Sequence, residues 1–402
     1  MKPCKPILLF QVWMVIFSIA GITQNKFLTE TNITRTLNRP VVALSQIADT
    51  LMNKDEEFTF SKDQLENILN ERKAVPFILG KTNENRNIEA WFFPGTSIKK
   101  ALVIGGVHGS ELSSIEVAEI LISNLMRREK PYYNVIIIPG LFPDNAYTAK
   151  ENQKEIGSTA NLGRYGISSP ADPNRQMPSP GKPFYEEYGK DHFEREIDPE
   201  NKLLLKLIAI YHPDRIASIH AIRNISKAGI FADPRTDNNS IALGFETDSM
   251  LAIEMSRLIR NNNGHVPGNF LNGRPTALYY KDPVPVEKGK FQKRNFSGTI
   301  LPQNRGSGVS LGTWASTAIS SETDPAYNRK AMRILTIEFP GYKRPVDYKT
   351  ASQQKHIRKL LKLYASSIEN IFLEKYLVEG YQDERLPASE FSYCLPDNPD
   401  ML

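Results

Sequence analysis

The run Ala101-Leu102-Val103-Ile104, closed by Gly105-Gly106 and followed by a helical pattern from Leu112 to Met126, constrains this chain more than any other feature. Four consecutive apolar residues leave no face for water. They read as a buried strand of the kind found in parallel or mixed sheets covered by helices. Further strand signals lie at Val75–Leu79, Ile88–Phe93, Val135–Ile138, Ile216–His220, Gly229–Ala232 and Ile334–Phe339. Helical stretches lie between or after them, at Pro199–Tyr211, from about Glu246 to Asn261 and from about Ser352 to Tyr376. Buried strands alternating with helices predict an α/β fold, with a mixed, largely parallel central sheet flanked by helices.

The turn after Ile104 carries His108-Gly109-Ser110-Glu111. It places an imidazole and a carboxylate three positions apart, on one side of the opening helix. A neutral histidine nitrogen and a carboxylate oxygen are two of the three protein ligands typical of a catalytic zinc, so a distant histidine is expected as the third. His220 ends the apolar strand Ser218-Ile219-His220-Ala221, and strand C-terminal ends are where α/β enzymes place their chemistry. The other histidines are blander: His212 precedes Pro213 at a helix end, and His192, His265 and His356 lie in polar surroundings.

Water activated at zinc needs a base, and Glu338 in Leu335-Thr336-Ile337-Glu338-Phe339-Pro340-Gly341 is the candidate. A carboxylate inside an apolar strand is costly unless it is paired or used. The alternative is an edge strand on which Glu338 faces solvent while Ile337 and Phe339 share the opposite face. In the loop rich in Pro, Gly and Ser from Arg164 to Lys190, Asp172-Pro173-Asn174-Arg175 offers a guanidinium fork and an amide donor suited to a substrate carboxylate. Arg164 is a second cation that could face a developing oxyanion. Either arginine could instead be an ordinary solvated surface side chain.

The chain divides into four parts. Residues 1–23 read as a signal peptide, with a short uncleaved signal anchor as the competing reading: Lys2 and Lys5 precede an apolar stretch from Ile7 to Ile19 that is short for a membrane span, followed by Ala20, Gly21 and Thr23. Residues 24–70 form an N-terminal helical segment, with Val42, Ala43, Leu44, Ile47 and Leu51 in one amphipathic pattern and Leu65, Ile68 and Leu69 in another that Ser61 caps. Residues 71–378 are the catalytic domain, and 379–402 a polar tail. An exported, periplasmic or extracellular protein follows, with no stable membrane span after signal cleavage. Of the two cysteines, Cys4 leaves with the signal and Cys394 remains, so no internal disulfide is expected. The net charge of +5 includes Lys2 and Lys5, and no long basic run suggests nucleic acid. Nothing in the pattern fixes the oligomeric state.

Together these residues resemble the zinc carboxypeptidases of the funnelin type. That family carries His-x-x-Glu and a distant His, as in His108, Glu111 and His220, then a carboxylate-binding Asn-Arg pair like Asn174-Arg175, then a catalytic Glu on a late strand like Glu338. The stretch Ser310-Leu311-Gly312-Thr313-Trp314-Ala315 is similar to the Ser-Leu-x-x-Trp-Ala segment of the bacterial murein-peptide amidase branch. The resemblance spans about residues 75 to 345, in the family's order. It implies one Zn2+ per chain, a peptide substrate with a free C-terminal carboxylate, Arg164 at the oxyanion, and cell-wall peptides carrying a diamino acid as the first substrate guess. It also implies a capping tyrosine, for which Tyr279 and Tyr280 are candidates. The chain departs from the pattern at Pro173, where the family has Leu, and at Ser218, where it has Asp. A zinc deacylase similar to the aspartoacylase and succinylglutamate desuccinylase group, and a peptide-binding relative without turnover, are the competing readings. A closed structural zinc site would call for cysteine pairs that this chain lacks.

Overall fold

The structure, a computed structural model, describes residues 61–375 except 159, 166–170, 234, 238–242, 244, 268–269, 272–273 and 276–307. The signal sequence, the first helical pattern, both cysteines, Tyr279, Tyr280 and the tail lie outside the described residues. No described helix is long and apolar enough to cross a membrane.

Seven strands form the main sheet: β1 Val75–Lys81, β2 Asn87–Phe93, β3 Lys100–Ile104, β4 Asn134–Ile138, β5 Arg215–Ile222, β6 Gly229–Ala232 and β7 Arg333–Pro340. They lie in the order β1-β2-β4-β3-β5-β7-β6. The central pairs β4–β3, β3–β5 and β5–β7 are parallel, while β1–β2, β2–β4 and β7–β6 are antiparallel. The fold is therefore the mixed α/β sheet expected from the sequence. Strands β3 and β4 at the centre show no alternation, because both of their faces are covered.

One face packs on helices α1 (Lys62–Leu69) and α4 (Pro199–Tyr211), and the other on α2 (Leu112–Leu125), α5 (Phe245–Asn261) and α7 (Ala351–Ser367). Leu102, Ile104, Ile136, Ile216 and Ile334 share the first core with Leu65 of α1 and Leu204, Leu205 and Ile208 of α4. Ser61 closes a capping box with Gln64 at the start of α1, as the sequence suggested. Two short helices carry no clear apolar period: α3 (Pro143–Glu151) and α6 (Leu311–Ala315). The last helix stops earlier than expected, with α-helical bonding ending at Ser367 and one π turn following over Ile368–Phe372.

Glu200 in the first turn of α4 is 6 % exposed and makes no ion pair among the described residues. Burial, reinforced by Asp198 and Asp144, pushes its carboxyl from 4.5 up to about 7. The unfolded chain gives up this proton near its ordinary pKa, whereas the folded chain keeps it until about 7. Stability therefore falls as pH rises across that window and stays lower above it. Glu200→Gln is expected to flatten that slope and stabilise the protein at pH 8 by on the order of 2 kcal/mol. Denaturant midpoints at pH 5 and pH 8 check this, and an unchanged slope would contradict it.

Candidate metal centre and substrate cleft

Strand alternation builds the floor of the site. On one face of β5 the side chains run Ile216, Ser218, His220, and on the same face of β7 they run Ile334, Thr336, Glu338. The parallel register sets Ile216 beside Ile334, Ser218 beside Thr336 and His220 beside Glu338. The face is thus apolar at the strand starts and ionisable at their C-terminal ends. Because β6 returns antiparallel to β7, with Gly229 opposite Glu338, β7 is an interior strand. The solvent-facing edge position considered for Glu338 does not exist.

The turn after β3 brings in the other ligands. Gly106 sits at φ 62°, where a side chain would be strained, and its carbonyl accepts from the Phe142 amide. A Cβ on Gly109 would lie 2.3 Å from the Ala146 nitrogen of α3, so this position admits only glycine without a backbone shift. Glu111 is the N-cap of α2, yet its side chain makes no capping bond. It turns instead to the two histidines: His108 Nδ1 lies 2.9 Å from Oε1 and His220 Nδ1 3.3 Å from Oε2. The Ala221 amide also donates to Oε2, at 2.9 Å.

Each imidazole is held through its far nitrogen. His108 Nε2 lies 2.8 Å from Asp172 Oδ1, and His220 Nε2 3.1 Å from Ser218 Oγ. With Nε2 turned to these oxygens, Nδ1 is the nitrogen of each ring that faces the Glu111 carboxylate and that would give its lone pair to a divalent cation in place of a proton. The three ligand atoms lie within 4.8 Å of one another, and His108, Glu111 and His220 are each under 5 % exposed. Two imidazole nitrogens, one carboxylate and orienting partners on both rings make a donor set that fits a divalent cation. Ser218 occupies the place of the aspartate that the family resemblance led us to expect, and its hydroxyl serves as the ring's partner. Asp172 has a role that its sequence setting did not reveal, although it stands two residues from Asn174.

The electrostatics follow from burial and pairing. Burial opposes charge on His108, but Glu111 and Asp172 outweigh it and hold the imidazole up at about 9. Burial would raise Glu111 and Asp172, yet His108 dominates and keeps both carboxyls well below their usual range. Glu338 differs. Burial raises it, His220 pulls it down, Glu111 adds to the rise, and the net shift is upward. A carboxylate held above its ordinary value beside metal ligands is suited to taking up and passing on a proton.

Arg164 reaches the same cluster. Its Nη1 donates to Glu111 Oε1 at 2.8 Å, and its Nη2 lies 3.4 Å from Asp172 Oδ2. Its guanidinium thus faces carboxylates of the cluster, and these hold its pKa above the ordinary value against burial. Asn174 follows in a short 3-10 turn begun by Asp172, with its Nδ2 3.5 Å from His220 Nε2 and its Oδ1 accepting from the Leu311 amide at 3.1 Å. The Arg175 carbonyl is tied by Arg195 Nη2 at 2.8 Å, and its own Nη1 donates to the Asn174 carbonyl at 2.6 Å. The structure therefore brings His108, Glu111, His220, Glu338, Arg164 and Asn174 into one cluster with Arg175 at its margin, while Tyr280 is not described.

Two further side chains border the cluster without having been singled out. Tyr342, four residues past Glu338, packs its ring beside Gly157, and its phenol pKa is raised by burial and by Glu111. Asp233, just after β6, accepts from Thr336 Oγ1 at 3.1 Å and interacts electrostatically with Arg175 and His220. A Cβ on Gly312 would come within 2.6 Å of its Oδ2.

No protein-family model matches the chain, and no curated protein matches it. Solved structures do. A metallo-carboxypeptidase from Burkholderia cenocepacia is 16 % identical, with 77 % of this chain and 68 % of that one covered and a TM-score of 0.38. A murein-tripeptide amidase from Escherichia coli O157 is 14 % identical, covering 73 % and 91 %, with a TM-score of 0.38. Bovine thrombin-activatable fibrinolysis inhibitor, in complex with tick carboxypeptidase inhibitor, is 11 % identical, covering 79 % and 98 %, with a TM-score of 0.42. These neighbours are metallocarboxypeptidase-like, the group to which the motifs pointed. Likenesses this weak carry no functional weight, and what the site can do follows from its own residues.

Proposed function

We propose that this chain is a zinc metallocarboxypeptidase that hydrolyses the C-terminal amide bond of extracytoplasmic peptides. The observation that carries this reading is the pairing of His220 with Glu338 across β5 and β7, beside the inward-facing His108 and Glu111. His108, Glu111 and His220 would hold the zinc, which when bound supplies Lewis acidity towards a carbonyl and acidifies water. Glu338 takes a proton from the attacking water and delivers it to the leaving amine, a two-way role that its raised pKa suits. Arg164 contributes positive charge near the developing oxyanion. Asn174 and Arg175 bind the carboxylate of the departing residue, fixing cleavage at the C-terminal bond.

The side chain of that residue is best matched by a cation. Asp233 is a half-buried carboxyl whose hydrogen bond among the described residues comes from the neutral Thr336, and burial pushes it up to about 6. An incoming ammonium would restore the charge balance that burial disturbs. This favours peptides ending in a diamino acid, the class expected in a cell wall.

The test is residue release from a panel of tripeptides ending in alanine, lysine or diaminopimelate, together with N-acyl amino acids, using the full chain loaded with zinc. Release of C-terminal residues, with a preference for diamino acids that Asp233→Asn reduces about tenfold, is the expected result. Activity on N-acyl amino acids alone would replace this reading with a deacylase, and zinc binding without any turnover would replace it with a peptide-binding protein. Fractionation of cells that make the full chain tests export, with the protein expected outside the cytoplasm.

A further inference from the structure

Resting on the reading of Asn174 and Arg175 as the carboxylate grip, we propose that Arg329 is a positioning residue, which locks helix α6 so that the Leu311 amide holds Asn174 with its Nδ2 turned into the cleft. Arg329 lies outside every motif and touches none of the site residues. Its Nη2 donates to the Trp314 carbonyl at 2.8 Å, and its Nη1 to the carbonyls of Ala315 and Thr317, both at 3.0 Å. The guanidinium sits 4.4 Å over the Trp314 ring. No carboxylate pairs with it among the described residues, and burial draws its pKa down to about 9. A buried cation without a counter-ion is costly. Here it gathers three carbonyls at and just past the end of a five-residue helix, adding its donors to the Thr317 and Met332 amides that already reach Trp314 and Ala315.

The other end of α6 meets the grip directly. Ser310 Oγ accepts from the Thr313 amide at 3.1 Å and caps the helix. The Leu311 amide, a first-turn donor with no partner inside the helix, goes to Asn174 Oδ1 at 3.1 Å. Between the two ends, Trp314 is 2 % exposed, and its Nε1 donates to the Lys182 carbonyl at 2.9 Å. The helix is therefore tied at its start, middle and end. An asparagine side chain can present either its donor or its acceptor, and a fixed N–H on Oδ1 decides which. With Oδ1 occupied, Nδ2 faces His220 and the cleft, as a carboxylate-binding amide must. If α6 slips, the amide is free to turn and offer an oxygen to the substrate's carboxylate, where it repels.

The experiment measures binding by calorimetry of an N-acetylated tripeptide ending in lysine, and of the same peptide with a C-terminal amide, to the full zinc-loaded chain in a Glu338→Gln background. Arg329→Gln is expected to weaken binding of the free-carboxylate peptide at least tenfold and to leave the amidated peptide within about twofold. In an Asn174→Ala background the same change should add almost nothing, since both act through one bond. Arg329→Lys should recover part of the loss. Zinc content and thermal midpoint report folding. If Arg329→Gln does not fold, Leu311→Pro is the second variant, compared with Leu311→Ala: proline is tolerated at the first helical position and deletes the N–H that Asn174 uses, while alanine trims the same buried side chain and keeps the N–H. Equal losses for both peptides, or effects that add to those of Asn174→Ala, overturn the proposal and leave Arg329 as a fold-stabilising residue. A parent protein that binds the amide as tightly as the free carboxylate instead removes the carboxylate grip itself, and the positioning role with it.

Discussion

Glu338→Gln should abolish turnover while leaving zinc content and fold unchanged. The amide matches the carboxylate in size, and Glu338 makes no hydrogen bond to His108, Glu111 or His220 that zinc binding would need. The loss falls on proton transfer alone, an effect typically worth about 100- to 10,000-fold. The substitution also removes a buried carboxyl whose pKa is raised first by burial. Stability should therefore stay level or rise at pH above the shifted value, where the native state bears the cost of ionising it. The informative measurement is the pairing of a rate with a metal assay on the same sample. Near-complete loss of rate with one zinc per chain retained identifies Glu338 as the base. Retained turnover would sink the assignment and direct attention to Tyr342, a titratable group that interacts electrostatically with both Glu111 and Glu338.

The sequence revealed the site's components better than their arrangement. The strand at Ala101–Ile104 could be read because both its faces are buried, which writes an unbroken apolar run, and those at Ile216–His220 and Ile334–Phe339 because apolar residues dominate around the few polar ones that face the site. The ligands could be read because His108 and Glu111 are local and His220 ends a strand. The helix Pro143–Glu151 left no such trace. Its buried residues are Asn145, Ala146 and Ala149, small or polar groups that produce no apolar period, and its backbone packs against Gly109. Whether Glu338 faced the site or solvent depended on the strand beyond β7, and no pattern within Leu335–Gly341 encodes where Gly229–Ala232 returns. The role of Asp172 depended on the path of a long loop, which brings a residue 64 positions away to His108 Nε2. Arg329 was invisible for the same reason: its partners are backbone carbonyls, which carry no sequence signature.

Glu111→Gln should have the opposite signature to Glu338→Gln, losing the metal and much of the stability together. Glu111 is the hub of the buried cluster. It faces both Nδ1 atoms, pairs with Arg164 at 2.8 Å and accepts from the Ala221 amide at 2.9 Å. An amide in its place turns one acceptor into a donor that points at an imidazole or a guanidinium. Removing one partner from a buried ion pair costs about 3–5 kcal/mol, because the charges left behind remain out of water. The proposed zinc site would lose the one carboxylate among its three ligands, so saturation should fail even with excess metal. Asp172→Asn is the graded companion. It leaves all three ligands in place and weakens the partner that fixes the His108 ring, along with the longer contact to Arg164, so zinc affinity should drop by about 10- to 100-fold without being abolished. Competitive titration with a chelator ranks the three variants. The order expected, from tightest to weakest, is Glu338→Gln, Asp172→Asn, Glu111→Gln. If Asp172→Asn matched the parent, the His108 ring would have to be held by something other than the 2.8 Å contact to its Nε2. If Glu111→Gln still bound one zinc tightly, the His108–Glu111–His220 triad would not be the metal centre, and the hydrolytic reading built on it would fall.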